Sequence, residues 1–234
     1  MNLVRIEQRL AAMADPAYAA RLARYFKTGP GGYAARDRFL GIRVPTLRVL
    51  AREFRALSLS DAEHLLRSRH HEARYLALRI LVHQFQQGND TRRGQIYRLY
   101  RRASPGINNW DLVDTSAAPI LGAWLAERSK APLTHLAHSP VLWERRMAII
   151  ATLNYIQRGE FGETLRIARI LLDDAQDLIH KAVGWMLREV GKRDLQTAEA
   201  FLAAHYRGMP RTMLRYAIER YPQERRLAYL KGRI

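Results

Sequence analysis

Apolar residues recur at intervals of three and four almost throughout this chain, as at Leu76, Ile80, Leu81 and Phe85, and again at Met147, Ile150 and Leu153. That interval is the period of an α-helix with one buried face. Alternation of period two is missing, and so are the Asn-Gly and Asp-Gly turns that close hairpins. The pattern predicts an all-α protein. Breakers fall at helix-length intervals: Gly29-Pro30-Gly31-Gly32, Val44-Pro45, Gly88-Asn89-Asp90, Ser104-Pro105-Gly106, Ala131-Pro132, Ser139-Pro140, Gly159, Gly191, Met209-Pro210 and Tyr221-Pro222. Ser60, ahead of Asp61-Ala62-Glu63, is expected to be an N-cap in a capping box closed by Glu63.

A weak internal repeat overlays His71–Leu78, Trp143–Ile149 and Ile179–Trp185. Each begins with a polar or basic turn and continues with small and apolar residues. Their spacing is close to the period of paired-helix solenoids, whose stacked pairs wind into a superhelix. Such a coil has a concave groove, and the basic residues are expected along it. A generic helical bundle is the other arrangement this pattern allows. No linker divides the chain, so residues 1–234 are expected to form a single domain, with a less regular element over residues 1–40.

Charge then narrows the partner. Lys and Arg number 39 against 22 Asp and Glu, a formal net charge of +17 over 234 residues. The arginines are spread from Arg21 and Arg36 through Arg101-Arg102 to Arg193 instead of forming a tail. Distributed planar guanidinium groups favour phosphate contacts, so nucleic acid is the expected partner. There is no cysteine, which excludes disulfides, thiol catalysis and thiolate metal centres. No apolar run is long enough to span a bilayer, and the N-terminus lacks a secretory signal pattern. A soluble cytoplasmic protein is expected.

Several constellations carry chemistry. Trp110 and Asp114 stand at i and i+4, so an aromatic face and a carboxylate share one side of a helix and can meet a cationic ligand together. Asp111 lies about 100° away around that helix and is expected to pair with a neighbouring basic residue. Of Arg145 and Arg146, only one can point squarely into a groove. Lys181, Trp185, Arg188 and Lys192 follow one face of one helix, cations interleaved with an indole as in nucleic-acid binding surfaces. Arg211 and Arg215 repeat the i, i+4 cation pattern. Other chemistries fail. His71-Glu72 begins like a zinc-peptidase motif, but Tyr75 stands where its second histidine would be. His135 and His138 lack a third ligand, and the glycines at 29, 31 and 32 lack the Lys-Ser/Thr of a phosphate loop.

The blocks Tyr25-Phe26-Lys27, Phe39–Pro45, Asn109–Asp114, Leu142–Ile149 and His180–Glu189 resemble the AlkD group of DNA alkylation-repair glycosylases, built from HEAT-like repeats. The resemblance runs from about Tyr25 to near the C-terminus. It implies a HEAT-like α-α superhelix with a concave basic groove, and excision of N3- and N7-alkylated purines from double-stranded DNA. It makes Asp114 the catalytic carboxylate, Trp110, Trp185 and Tyr25 the contacts to the lesion's deoxyribose, and Arg146 a phosphate contact. Arg145, Lys181, Arg188, Arg211 and Arg215 are the further candidate phosphate contacts. No metal or cofactor is expected, the chain is expected to act as a monomer, and in a bacterium it would associate with the nucleoid. The rival reading is a helical-repeat module that binds damaged or distorted nucleic acid without cutting it.

Overall fold

The computed structural model describes residues 2–35 and 37–234; Met1 and Arg36, the latter one of the dispersed arginines, lie outside the described residues. Among the described residues the regular structure is helical, apart from one isolated β-bridge between Arg38 and His70. The chain falls into two compact units, Met1–Ile120 and Leu121–Ile234. Among the described residues no helix is long and apolar enough to cross a membrane.

The first unit contains α1 (Asn2–Ala12), α2 (Pro16–Tyr25), α3 (Val44–Glu53), α4 (Leu59–Leu66), α5 (His71–Gln87), α6 (Asp90–Arg102) and α7 (Trp110–Ser116). Its hub is α5, which packs against α3, α4, α6 and α7. Leu76, Leu78, Ile80 and Leu81 are fully buried on it, and each such side chain contributes about 1.5–3 kcal/mol. The second unit contains α8 (Ala123–Leu125), α9 (Ala131–Ala137), α10 (Leu142–Ala151), α11 (Leu153–Ile156), α12 (Gly162–Ile170), α13 (Asp177–Gly191), α14 (Leu195–His205), α15 (Arg211–Ala217) and α16 (Gln223–Leu230). There α13 is central, against α10, α12, α14 and α15. A Cβ on Gly184 would stand 2.4 Å from the Met213 carbonyl oxygen and 2.5 Å from Tyr216 Cβ. The missing side chain therefore sets how closely α15 approaches α13.

The breakers sit at helix boundaries as expected. Asn89 caps α6 by accepting from Arg92 N, and Pro45, Pro132, Pro210 and Pro222 stand at or just before helix starts. In the glycine-rich turn, a Cβ on Gly32 would lie 1.8 Å from the Lys27 carbonyl oxygen, so that turn closes only on glycine. Two expectations need correction. The cap of α4 is Ser58, whose hydroxyl accepts from Asp61 N at 3.0 Å, two residues ahead of Ser60. Glu63 instead takes Arg67 and Arg102. Pro119 also goes unforeseen: it does not end a helix but sits in a π-helical turn, Ala117–Gly122, following α7. A wider turn relieves the clash of its ring with the preceding carbonyl.

The three overlaid repeat segments lie at the beginnings of α5, α10 and α13. Their polar starts do not all face solvent. His71, Glu72, Arg74 and Arg146 are each buried, at no more than 5% exposure.

Candidate functional site

Helix α7 begins at Trp110 because Asn109 caps it. The Asn109 side-chain oxygen accepts from Trp110 N at 2.8 Å, while its amide donates to Asp37 at 2.9 Å. Asn109 is wholly buried, so this cap anchors the helix start to the interior as well as satisfying an orphan N–H. Trp110 and Asp114 are both half-buried on this short helix. Between them Leu112 and Val113 point into the core.

Trp110 stands on aromatic support. Its indole stacks on Phe26, centroids 5.2 Å apart, and Phe26 stacks in turn on Phe39 at 4.9 Å. Tyr25, the last residue of α2 and 65% exposed, meets Trp110 edge-on at 6.1 Å. The indole N–H donates to the Tyr33 hydroxyl at 3.2 Å. Tyr25 and Trp110, paired in the sequence reading only through a resemblance, are therefore neighbours in the first unit, with an exposed ring beside a half-buried one.

Beneath this stack lies a buried ionic cluster. His71, the first residue of α5, places Nδ1 2.9 Å from Asp37 Oδ2 and Nε2 2.8 Å from Asp111 Oδ2. Burial alone would push the imidazole down, but its hydrogen bonds to Asp111 and Asp37, with their charges, outweigh burial and raise it from 6.5 to about 9. At neutral pH it is an imidazolium donating to both carboxylates. Burial likewise opposes charge on Asp37, yet bonds from His71, Arg74 and Asn109 hold its carboxyl below the usual range. Glu72 completes the arrangement by accepting from the backbone N–H groups of Leu40, Gly41 and Ile42. Asp111 thus has the basic partner its helical offset called for. Of this cluster, the sequence placed His71, Glu72 and Arg74 in the repeat and Asn109 in a block of resemblance, dismissed His71-Glu72 as a metal motif, and gave Asp37, Arg74 and Asn109 no role of their own. The local signal for Asn109 was its position directly before Trp110; Asp37 had none.

Asp114 carries its charge close to α6. Tyr100 is fully buried, and burial together with the Asp114 carboxylate pushes its hydroxyl far up, against the opposing hydrogen bond to Ser116. On the other side, Arg79 donates to Thr115, the next residue after Asp114, at 3.2 Å. Arg79 also lines a cleft of about 400 Å³ between α3 and α5, with Arg48, Arg52 and His83. No carboxylate lines that cleft.

In the second unit, Trp185 is half-buried on α13 and its indole N–H donates to Glu189, one turn on, at 3.3 Å. Lys181 pairs with Asp177 at 2.7 Å, Arg188 with Glu219, and Lys192 with Glu189 at 2.6 Å. Arg145 holds Asp174 through Nε at 2.6 Å and Nη2 at 3.3 Å, and donates through Nη1 to the carbonyls of Ser139 and Pro140. Arg146 is buried and donates to the Leu178 carbonyl. Arg211 and Arg215 are exposed on α15, Arg211 donating to the Leu230 carbonyl at 2.9 Å.

A model of the family described as "DNA alkylation repair enzyme" matches residues 6–221. Among solved structures, the fold is similar to that of a predicted DNA alkylation repair enzyme from Enterococcus faecalis, with a TM-score of 0.70 at 18% identity over 90% of this chain and 98% of that one. It is also similar to smu.31 from Streptococcus mutans UA159, with a TM-score of 0.54 at 17% identity over 86% and 94%. At those identities the likeness concerns the fold alone. No curated protein matches the chain.

Proposed function

The chain belongs to the DNA alkylation repair enzyme family, and from that premise we propose that it is a monofunctional DNA glycosylase acting on cationic N3- and N7-alkylpurines in double-stranded DNA. The observation that carries the proposal is the face of α7: a half-buried indole on an aromatic stack and a half-buried carboxylate one turn later, on a helix capped into the core.

An alkylated purine of this kind already bears a positive charge. When its C1′–N bond breaks, the electron pair goes to the base, which leaves neutral, so no general acid is needed. The remaining task is to stabilise the oxocarbenium charge on the sugar and to orient the water whose oxygen bonds to C1′. Asp114 is assigned both parts, with the water's proton passing to the carboxylate or to solvent. Trp110 and Tyr25 offer π faces to the cationic sugar or base, each about 0.5–2 kcal/mol. Trp185 is assigned a lesion contact on the resemblance. No cofactor enters this scheme.

The phosphate contacts are proposed at two levels. Arg211 and Arg215 are exposed and Lys181 is half-buried, and the bonds of Lys181 to Asp177 and of Arg211 to the Leu230 carbonyl lie at the surface, where exchange for a phosphate costs little. Arg145, Arg146 and Arg188 would have to exchange internal hydrogen bonds for phosphate oxygens, and we assign them the lesser share. The α3–α5 cleft is a further electrostatic contribution, since four cationic or titratable donors without a lining carboxylate favour an anion. We propose that residues 1–234 act as one functional domain, as a monomer at the nucleoid.

Incubation with methylated duplex DNA, followed by chromatography for free 7-methylguanine and 3-methyladenine, tests the reading. Free base is the expected product. DNA binding without base release would favour the non-catalytic module instead.

A further inference from the structure

Asp111 shares the first turn of α7 with Trp110, about 100° from it and about 60° from Asp114 around the helix. The backbone runs on from this helix into the π-helical turn Ala117–Gly122, and the side chains that hold its first turn aim Trp110. Its cap, Asn109, grips the start. The second grip is on Asp111, whose Oδ1 accepts from Leu112 N at 2.9 Å within the helix while Oδ2 meets His71 Nε2. The other ring nitrogen of His71 meets Asp37, in the loop that also carries Phe39. Phe39, stacked on the imidazole at 4.6 Å, and Phe26, tilted against it at 5.2 Å, pack on one side of the ring and 4.9 Å from each other, and Phe26 is the ring on which Trp110 rests.

We propose that His71 is the positioning residue of the α7 face: by bridging Asp37 and Asp111 and packing against Phe26 and Phe39, it fixes the rotation of α7 and the plane of Trp110, so that Trp110 and Asp114 are aimed together. This inference deepens the glycosylase reading and rests on it for its chemical consequence. Asp111 stands about 100° from Trp110 and about 60° from Asp114 around the helix, so the grip falls directly beside the Trp110/Asp114 face. Both links require a ring with two N–H donors. A neutral imidazole donates to one carboxylate and turns a lone pair toward the other. The charged groups that face the ring are Asp37 from the loop and Asp111 from α7; on α5 itself Glu72 turns to the amides of Leu40, Gly41 and Ile42, and Arg74 to Asp37 and the Ser68 carbonyl. Raising the imidazole to about 9 keeps the bridge intact at neutral pH.

The test combines His71→Gln with Asp111→Asn, which keeps an oxygen for Leu112 N but presents an amide NH2 to His71 Nε2 in place of the carboxylate oxygen. Single-turnover release of 7-methylguanine, measured across protein concentration, separates the saturating rate from DNA affinity. Both variants are expected to lose about 10- to 100-fold in saturating rate, with affinity for undamaged duplex within about twofold of wild type. The wild-type saturating rate is expected to fall as pH rises through about 9, and this limb should be missing from His71→Gln. An activity-free readout is the indole N–H resonance of Trp110, identified by its loss in Trp110→Phe. It should move in both variants and, in wild type only, with pH near 9. Unchanged saturating rates, or an unmoved Trp110 resonance in both variants, overturn the proposal. Should wild type release no base at all, the glycosylase reading fails, and the resonance alone decides whether His71 positions Trp110.

Discussion

His71 Nε2 stands 2.8 Å from Asp111 Oδ2, joining the first residue of α5 to the first turn of α7 inside the protein. This contact and its counterpart to Asp37 give the fold a dependence on alkaline pH. The folded-state imidazole is raised above its ordinary 6.5. The stabilisation it supplies is therefore complete below about 6.5 and is lost as pH rises through about 9. The expected loss is on the order of 3 kcal/mol. Urea unfolding on either side of that window should show it, and His71→Gln should remove the alkaline dependence. A wild-type stability that is flat across the window would contradict the bridge.

Glu72 offers a second buried carboxylate with a different task. Its two oxygens accept from three consecutive N–H groups, Leu40, Gly41 and Ile42, and so shape the loop ahead of α3. Glu72→Gln replaces one acceptor oxygen with a donor facing N–H groups. It is expected to cost about 1–3 kcal/mol of stability, measured by thermal or urea unfolding, and to raise hydrogen exchange at those three amides. Unchanged exchange there would argue against the assignment.

Gly184 tests packing in the second unit. Gly184→Ala would drive a methyl into the Met213 carbonyl and Tyr216 Cβ. Destabilisation of about 1–3 kcal/mol is expected, through displacement of α15 from α13. A neutral result would mean that the two helices separate without cost.

The α3–α5 cleft predicts a salt effect. Arg48 and Arg52 line it together with Arg79 and His83 and without a carboxylate. If phosphates lie there, the slope of log affinity against log salt for duplex DNA should become shallower by about 0.9 per phosphate contact removed in Arg48→Ala and Arg52→Ala. An unchanged slope would place the duplex elsewhere.

Helical period and breakers made the all-α architecture legible in the sequence, because both are local signals that neighbouring residues carry by themselves. The cap of α4 was misplaced by two residues, since Ser58 and Ser60 are equivalent candidates until the helix start is known. Pro119 was missed because a proline can widen a helix as well as end one. At the site, Trp110 and Asp114 could be paired by spacing, and Asp111 was given a basic partner by its offset. What spacing cannot show is a cluster assembled from distant segments: Asp37, His71, Arg74 and Asn109 come together only in the folded chain. The same limit applies to charge. A basic sequence reads as a basic surface, yet Arg74 and Arg146 are buried and Arg145 is spent on Asp174 and two carbonyls.

The central claim is that the Asp114 carboxylate stabilises charge on the sugar of an alkylated nucleotide. It is tested most directly by single-turnover release of 7-methylguanine from methylated duplex DNA by the wild-type chain and by Asp114→Asn. Wild type should release the free base, and the nearly isosteric variant should be slower by about 10²–10³, a loss of about 2.7–4 kcal/mol of transition-state stabilisation, with its affinity for duplex DNA retained. Equal rates in the two proteins, or no free base from wild type, would contradict the account.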